Sequence, residues 1–272
     1  MTLHGPIAGR RIGVGTLLAW FRRVRPVALP LVLGALIVWI WHFSIRSLHL
    51  PEVVLPAPDS VLGVTTANFL FLLTHGLYTV REACAALLAS IIIGLVLATM
   101  LSASRHVYDG VFPNLILLEL VPKIALAPLF IIWFGNGDTS RIVFGIFLSF
   151  FPIVLATTAG LRATDLSAIR LCQSLRATKW QIFFQVQFPY ALPYIFSGVK
   201  IGSTMAMIGV IVAEFINGNR GLGYLIMFAA SNMATALMFA ATFLLCVFGV
   251  LLYVCVALVE KLVALRYALP KA

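Results

Sequence analysis

The sequence predicts an all-α, polytopic membrane protein with about six transmembrane helices. Of its 272 residues, 62% are apolar and 10% are charged, and the mean hydropathy is +1.06. Soluble domains have about 45–50% apolar and about 25% charged residues. This chain therefore carries more apolar surface than one water-soluble core can bury. The apolar residues are also grouped in windows of about 20 residues, the length of a helix that crosses the hydrocarbon layer.

Six windows are long and apolar enough to span a membrane. They are residues 27–45, 83–101, 111–134, 142–161, 194–213 and 236–259. Four of these windows contain no Asp, Glu, Lys or Arg. The third window contains Glu119 and Lys123, and the fifth contains Lys200, which we expect to snorkel toward the cytoplasmic interface. In the fifth window, Gly198 and Gly202 form a small-xxx-small pair that favours close approach of another helix.

Lys and Arg are distributed unequally between the two sides of the predicted bundle. Thirteen lie on the side of the termini: Arg10, Arg11, Arg22, Arg23, Arg25, Arg105, Arg162, Arg170, Arg176, Lys179, Lys261, Arg266 and Lys271. Three lie in loops on the other side: Arg46, Arg141 and Arg220. Because cytoplasmic loops carry the excess of positive charge, both termini are predicted to be cytoplasmic. The predicted regions are a cytoplasmic tail, a transmembrane domain and a second cytoplasmic tail: residues 1–26, 27–262 and 263–272.

The loop between the fourth and fifth windows, about residues 162–191, has the pattern of a helix. It starts at Thr164 and Asp165, which are favourable N-cap residues, and a carboxylate at this position also stabilises the helix dipole. Apolar side chains then recur every three residues: Leu166, Ile169, Cys172 and Leu175. This spacing predicts an amphipathic helix of about 13 residues. The pattern fits an interfacial helix resting on lipid and a docking surface for another protein equally well.

Two prolines follow a second amphipathic segment of the same loop, Trp180 to Phe188. Proline is tolerated in the first turn of a helix and disrupts a helix interior. We therefore predict that Pro189 and Pro193 separate a helix lying along the membrane surface from the helix that crosses it.

Four segments, in chain order, resemble the membrane subunits of ATP-binding-cassette importers, in the branch that serves nitrate, sulfonates, taurine and related solutes. Three are LPAPDSV (55–61), VPKIALAPLFIIWFGNGDTSR (121–141) and VAEFINGNRGLGYLI (212–226). The fourth is the cytoplasmic loop signature, which this chain matches at Leu175, Ala177, Trp180, Val186, Pro189, Pro193 and Gly198. The resemblance covers about residues 50–262.

The resemblance implies a type I importer permease fold in a bacterial inner membrane. Two permease copies would form the translocation pathway, separate ATPase subunits would dock on the cytoplasmic loops, and a periplasmic or lipid-anchored binding protein would deliver the solute. ATP would be bound by the partner subunit, so the chain would need no cofactor of its own. The residues implied in ATPase coupling are Asp165, Leu166, Ile169, Arg170, Cys172, Leu175, Arg176 and Ala177.

The loop departs from the family signature at two places. The family has Glu-Ala-Ala where this chain has Arg170, Leu171 and Cys172, and it has glycine where this chain has Arg176. Glycine at that place supports a tight turn, often with positive φ. Arginine must either accept that strain or adopt another geometry, so we expect the ATPase-docking surface to be reshaped.

Three charged residues are candidates for the translocation pathway. Glu119 and Lys123 are four residues apart with the acid first, the favourable order for a helical ion pair. Charge within a membrane usually faces a protein interior or a water-filled path, so a structural pair and a solute contact are both consistent with this spacing. Glu214 ends the fifth window on the outer side, where a solvated helix end and a gate are equally consistent with the pattern.

Other classes of function find less support. The chain has no H-E-x-x-H or G-x-S-x-G motif for a membrane enzyme, and no filter-like loop or ring of like charge for a channel. It has no phosphate-binding loop either, so ATP hydrolysis would belong to another subunit. Cys84, Cys172, Cys246 and Cys255 lack metal-ligand spacing and are interpreted as packing residues. The net charge of +10 reflects Lys and Arg beside membrane helices, and no nucleic-acid partner is expected.

The charge asymmetry predicts the sidedness of single cysteine labels. Cysteines placed at Arg46 and Arg220, in a background without the native cysteines, should react with a membrane-impermeant maleimide added to intact cells. Cysteines at Arg10 and Lys271 should react only after the cells are opened. Labelling of either terminus from outside would reverse the predicted orientation.

Overall fold

The computed structural model describes residues 14–49 and 51–266, and this part of the chain contains helices and no strand. The α-helices are α1 (Val14–Leu48), α2 (Pro58–Ala67), α3 (Phe69–Ala103), α4 (Arg105–Leu120), α5 (Ala127–Phe134), α6 (Asp138–Arg162), α7 (Leu166–Ser174), α8 (Lys179–Ile182), α9 (Phe188–Asn217), α10 (Leu222–Ser231) and α11 (Thr235–Arg266). A 3₁₀ turn covers Lys123–Leu126 and a π-helical turn covers Phe183–Gln187. The outer parts of the two predicted tails, residues 1–13 and 267–272, lie outside the described residues.

Five continuous helical segments in the described chain are long and apolar enough to cross a membrane. They are Ala28–Leu48, Phe69–Ala103, Asp138–Arg162, Lys179–Asn217 and Thr235–Arg266. Together with one bent helix pair they make up to six spans. The prediction of an all-α membrane protein with about six transmembrane helices is confirmed.

The third predicted window, residues 111–134, is broken by a bend, and its prolines, Pro113, Pro122 and Pro128, already indicated bends in this span. Helix α4 ends at Leu120, and the chain bends by 87° between Arg105–Leu120 and Lys123–Phe134. Pro122 causes the break, because it has no backbone N–H and disfavours helical geometry at the residue before it. Val121 accordingly has extended backbone angles, φ −65° and ψ 137°.

The predicted break at Pro189 and Pro193 is wrong. The chain is helical from Lys179 to Asn217, with the π-helical turn Phe183–Gln187 between α8 and α9. A proline ring clashes with the carbonyl four residues earlier. For Pro189 this carbonyl belongs to Gln185, which lies inside the wider π turn. Pro193 lies further along α9, and the helix continues through both prolines.

Helices α6 and α9 form the most extensive helix contact of the described chain, and glycine allows their backbones to touch. A Cβ added at Gly209 would lie 2.7 Å from the Cα of Gly145. At the other end of the crossing, a Cβ at Gly198 would lie 3.0 Å from the carbonyl oxygen of Pro152, and one at Gly202 would lie 3.2 Å from that of Ser149. The predicted small-xxx-small pair therefore does mediate a close helix approach.

Helix α3 completes the central layer by packing against both α6 and α9. The hydroxyls of Ser90 on α3 and Ser149 on α6 are 2.5 Å apart and fully buried. On one side of this layer, α10 and α11 pack with α2 around Leu72, Leu222 and Ala240. Side chains of the layer that face outward are mostly apolar, as a lipid-facing surface requires.

The backbone contact between α6 and α9 predicts a strong effect of one methyl group. Gly209→Ala should lower the free energy of unfolding by about 1–3 kcal/mol, the usual cost of overpacking a well-packed interior. The matched change Gly249→Ala, on α11 with no atom within 4 Å of the added Cβ, should be neutral or slightly stabilising. Unfolding by SDS in mixed micelles measures both. Equal stabilities of the two variants would contradict the close approach.

Candidate functional site

The predicted loop helix is α7, which is shorter than predicted and begins where the sequence placed it. Asp165 is its N-cap, and the Asp165 side chain accepts a hydrogen bond from the Ser167 N–H at 2.9 Å. The residues implied in coupling lie along this one segment, but they face different ways. Leu166 and Leu175 are 65% and 74% exposed.

The other two members of the predicted apolar stripe turn toward the protein. Ile169 and Cys172 are half-buried, Ala177 is half-buried beyond the helix end, and Arg170 is exposed. Leu171, which was not part of the predicted stripe, is 62% exposed. The exposed apolar side chains of this segment are therefore Leu166, Leu171 and Leu175, of which Leu171 and Leu175, four residues apart, share one face.

Arg176 occupies the left-handed region that the family signature assigns to glycine. Its φ is +60°, and two backbone hydrogen bonds close the end of α7 around it. The Arg176 N–H donates to the Gln173 carbonyl at 2.9 Å, and the Ala177 N–H donates to the Cys172 carbonyl at 3.0 Å. This pair of bonds is the Schellman motif that usually has glycine at the left-handed position. Of the two expected alternatives, the chain therefore keeps the turn and accepts the strain.

The second half of the loop starts with a capping box and continues with aromatic side chains. The Gln181 N–H donates to the Thr178 hydroxyl at 3.3 Å, while the Thr178 N–H donates to the Gln181 side chain at 2.8 Å. Trp180 and Phe184 stack with their ring centroids 5.9 Å apart. Both rings are exposed, Trp180 by 71%. The α7–α8 segment thus presents apolar and aromatic groups on its outer surface.

Glu119 and Lys123 form an ion pair, but the pair bridges the bend after α4 instead of lying along one helix. The Lys123 ammonium also lies over the Phe151 ring, 4.5 Å from its centroid. Phe151 lies about halfway along α6, so the pair lies near the middle of the spanning bundle. The Glu119 side chain is 38% exposed and that of Lys123 is 12% exposed. An intramembrane pair that is partly exposed is consistent with both interpretations of its spacing.

Glu214 is far from that pair and is not a solvated helix end. Its side chain is 1% exposed, and its carboxylate accepts hydrogen bonds from the Thr79 hydroxyl at 2.8 Å and the Gly223 N–H at 2.7 Å. The Leu222 N–H donates to the Thr79 hydroxyl at 2.8 Å. Unpaired N–H groups at the start of α10 are thus satisfied by side chains of α3 and α9.

Two glycines make this contact with Glu214 possible. A Cβ at Gly221 would lie 2.1 Å from the Glu214 Oε1, and one at Gly223 would lie 2.8 Å from its Oε2. Gly221 also has φ +102°, and its N–H donates to the Nδ1 of His75 at 3.1 Å. The Gly-Leu-Gly sequence after Arg220 therefore seats the loop between α9 and α10 on a buried carboxylate.

Beside Glu214 lies a buried ion pair that the sequence analysis did not find. The Arg141 side chain on α6 donates to both carboxylate oxygens of Glu82 on α3, at 2.8 and 2.9 Å. Both side chains are 1% exposed. A bidentate pair between two helices fixes their relative rotation as well as their distance. Sequence reasoning missed it because Glu82 and Arg141 each lie one residue outside a charge-free window, and Arg141 was assigned to a loop.

Asp138 extends this pair to the loop between α9 and α10. It accepts hydrogen bonds from Arg141 at 2.5 Å, from Arg220 at 2.6 Å and from Arg81 at 2.7 Å. The hydrogen bond between Asp138 and Arg220 raises the pKa of the Arg220 guanidinium above its ordinary value. The outer-end cluster, as we call Glu82, Asp138, Arg141, Arg220 and Arg81 after the side to which the charge asymmetry assigns them, connects α3, α6 and this loop.

Lys200 has a partner that the sequence did not predict. Its ammonium lies 2.8 Å from the Glu260 carboxylate of α11, and the two side chains are 25% and 27% exposed. The expectation that Lys200 snorkels toward the interface stays a prediction. Among the described residues, no group of three or more His, Cys, Asp or Glu is arranged to hold a metal ion.

The burial of the outer-end cluster predicts unequal effects of two neighbouring substitutions. Glu82→Leu leaves Arg141 with one acidic partner in the interior and should lower the free energy of unfolding by about 3 kcal/mol. Arg81→Gln removes a pair whose arginine side chain is 59% exposed, and it should cost less than about 1 kcal/mol. SDS unfolding in mixed micelles measures both, and a Glu82→Leu variant as stable as Arg81→Gln would contradict a structural role for the buried pair.

Comparisons with known proteins agree with this architecture. Residues 90–265 match the family described as "binding-protein-dependent transport system inner membrane component". The formylaminopyrimidine transport permease of Halalkalibacterium halodurans is 30% identical, over 86% of this chain and 93% of the relative. The riboflavin transport system permease of Chloroflexus aurantiacus is 33% identical, over 87% of this chain and 88% of the relative.

A solved structure shows the same fold. It is an inward-facing conformation of the MetNI methionine ABC transporter, with a TM-score of 0.62 and 18% identity, and the match covers 71% of this chain and 96% of that chain. The family match extends over more than half of the sequence. The chain belongs to the family of binding-protein-dependent transport system inner membrane components, the permeases of ATP-binding-cassette importers.

Proposed function

We propose that two copies of this chain form the translocation pathway of an importer, with a separate ATPase bound to the α7–α8 segment. A periplasmic or lipid-anchored binding protein would deliver the solute. Similar permeases are named for formylaminopyrimidine and riboflavin transport. We therefore propose a small polar solute of the nitrate, sulfonate or taurine type, or a pyrimidine-type vitamin precursor.

The observation that carries this proposal is the position of the exposed α7–α8 segment between two tightly packed helices. The segment connects α6 to α9, whose backbones touch at Gly145 and Gly209. A force applied to the segment is therefore transmitted to a stiff helix pair instead of being absorbed by a loop. Two exposed leucines, Leu171 and Leu175, are four residues apart, which is a spacing of helix anchors that a groove on a partner recognises.

The charged residues without an ion-pair partner in the described chain support one orientation of the protein in the membrane. Between residues 162 and 191 the only acid is Asp165, while four residues there are basic: Arg162, Arg170, Arg176 and Lys179. At the opposite end, Arg141 and Arg220 are neutralised by Glu82 and Asp138. The unpaired positive charge thus lies on the α7–α8 side, which supports a cytoplasmic location for that side and for both termini.

The three charged pathway candidates receive different roles in this proposal. Glu119 and Lys123 lie at mid-depth with Glu119 partly exposed, and we propose that this pair faces the pathway between the two copies. Glu214 is enclosed by its own chain. We propose that it acts on the pathway indirectly, by holding the outer loop that begins at Gly218 against α3.

The ATPase-docking proposal predicts the effect of one exposed leucine. Leu175→Asp should weaken co-purification of the cognate ATPase subunit by more than about ten-fold. A charge buried without a partner costs about 3–5 kcal/mol, and about 1.4 kcal/mol is a factor of ten. Solute-stimulated ATP hydrolysis in proteoliposomes should fall with it.

The matched control is Leu265→Asp, at the same end of the molecule on α11. Leu265 is 72% exposed and Leu175 is 74% exposed, so the two variants introduce the same charge at equally exposed leucines. Leu265→Asp should retain the ATPase. If Leu175→Asp also retains the ATPase and transports normally, α7 is a membrane-surface helix and the proposed coupling role is wrong.

A further inference from the structure

A cavity of about 520 Å³ lies between the α7–α8 segment and the ends of α3 and α6, and the exposed Trp180 also lines it. Its wall includes Ser102 from the end of α3, Leu161 from the end of α6, and Ile169, Gln173 and Lys179 from the loop. The half-burial of Ile169, unexpected from the sequence, is explained by its position on this wall. The volume lies within the range of about 300–1,000 Å³ that small ligands occupy in proteins.

A second cavity, of about 310 Å³, adjoins the first and is lined almost wholly by apolar side chains. The two share Thr99, Leu161 and Phe183. The second cavity is a groove that opens to the lipid-facing surface of α3, where Val96 and Met100 are 58% and 57% exposed. We refer to these two adjoining cavities together as the channel; the smaller borders the hydrocarbon-facing surface of α3 and the larger borders the loop.

Three polar side chains at the loop end of this channel make no hydrogen bond or ion pair with any described residue. They are Gln173 and Lys179, which are exposed, and Gln187, which is half-buried, and each lines the larger cavity. At the other end, the groove is lined by apolar side chains apart from Thr99 and Thr157. Polar groups at one end and apolar groups at the other match an amphiphile with a compact head.

We propose that the channel binds one anionic phospholipid, with its phosphate beside Lys179 and one acyl chain in the apolar groove. The basic character of residues 162–191 favours an anionic head over a neutral one. The groove excludes a free phosphate as the natural occupant, because burying apolar walls requires a hydrocarbon chain. By the orientation proposed above, this lipid would lie in the cytoplasmic leaflet. Lipid binding itself does not depend on that orientation.

The length of the channel along α3 and its position at the end of the bundle agree with a bound phospholipid. The step from Leu95, in the groove, to Ala103, in the larger cavity, is eight residues of α3, or about 12 Å. Trp180 borders the larger cavity and stacks on Phe184, and exposed aromatic rings of this kind concentrate where headgroups meet hydrocarbon. The bound lipid would fill the space between α3 and the loop and so brace the α7–α8 segment from below.

Native mass spectrometry of the full-length permease in detergent tests this proposal. The protein is titrated with dioleoyl phosphatidylglycerol and with dioleoyl phosphatidylcholine, and the association constant of the first bound lipid is compared. Phosphatidylglycerol should bind more tightly. Lys179→Gln should lower that preference about five-fold, the effect of one basic residue near an anionic lipid surface. Lys261→Gln, an exposed lysine on α11 outside the channel, should leave it unchanged.

A second pair of variants tests the acyl-chain groove. Val96→Trp should block the groove and lower the affinity for both lipids at least five-fold without changing the preference between them. Val250→Trp is the matched control, since Val96 and Val250 are 58% and 61% exposed and Val250 lies on α11. Thermal unfolding of each variant confirms that it is folded.

Three results would overturn the proposal. Equal loss of preference in Lys179→Gln and Lys261→Gln would mean diffuse surface charge instead of a site. Full affinity in Val96→Trp would mean that no chain enters the groove. Complete displacement of phosphatidylglycerol by millimolar glycerol 3-phosphate would mean that the cavity takes a soluble phosphate alone.

Discussion

The direct backbone contact between α6 and α9 is the constraint on which the rest of this structure depends. Lipid is as apolar as leucine, so helices in a membrane associate by close packing and polar contacts instead of by expulsion of water. Gly145 and Gly209 remove the side chains at the crossing, and Gly198 and Gly202 do the same nearer the loop. Helix α3 then packs against both helices and buries Ser90 against Ser149.

The outer-end cluster is possible only because this contact places α3, α6 and α9 in one register. Glu82 and Arg141 can be fully buried since Arg141 donates to both carboxylate oxygens of Glu82, and Asp138 carries the connection onward to Arg220. Glu214 adds a second connection, because it holds the backbone at Gly223. These charges would be costly if each stood alone in hydrocarbon; paired with one another, they hold one end of the bundle together.

The opposite end of the bundle is built differently, with few internal ion pairs and with strain at one residue. Arg176 has the backbone angles of a glycine, a conformation that costs about 1–2 kcal/mol for other residues. The α7 helix end tolerates it because two backbone hydrogen bonds close the turn. Below the turn, the loop spans cavities instead of resting on packed side chains. A stiff outer end and a less filled loop end suit a protein in which a partner acts on the loop.

The sequence by itself determined the membrane class, the approximate number of spans, the position of the loop helix and the family. These properties depend on composition, on the spacing of apolar residues and on local motifs, all of which can be read along the chain. Only the tertiary structure decided that Glu82 pairs with Arg141, that Glu214 holds a loop, that Ile169 faces a cavity and that a helix continues through Pro189 and Pro193. Each of these depends on which residues distant in sequence approach one another, and charged residues at window edges give no indication of their partners. The ion pairs join residues 57 or more positions apart where they connect α3 to α6, a distance over which periodicity carries no information.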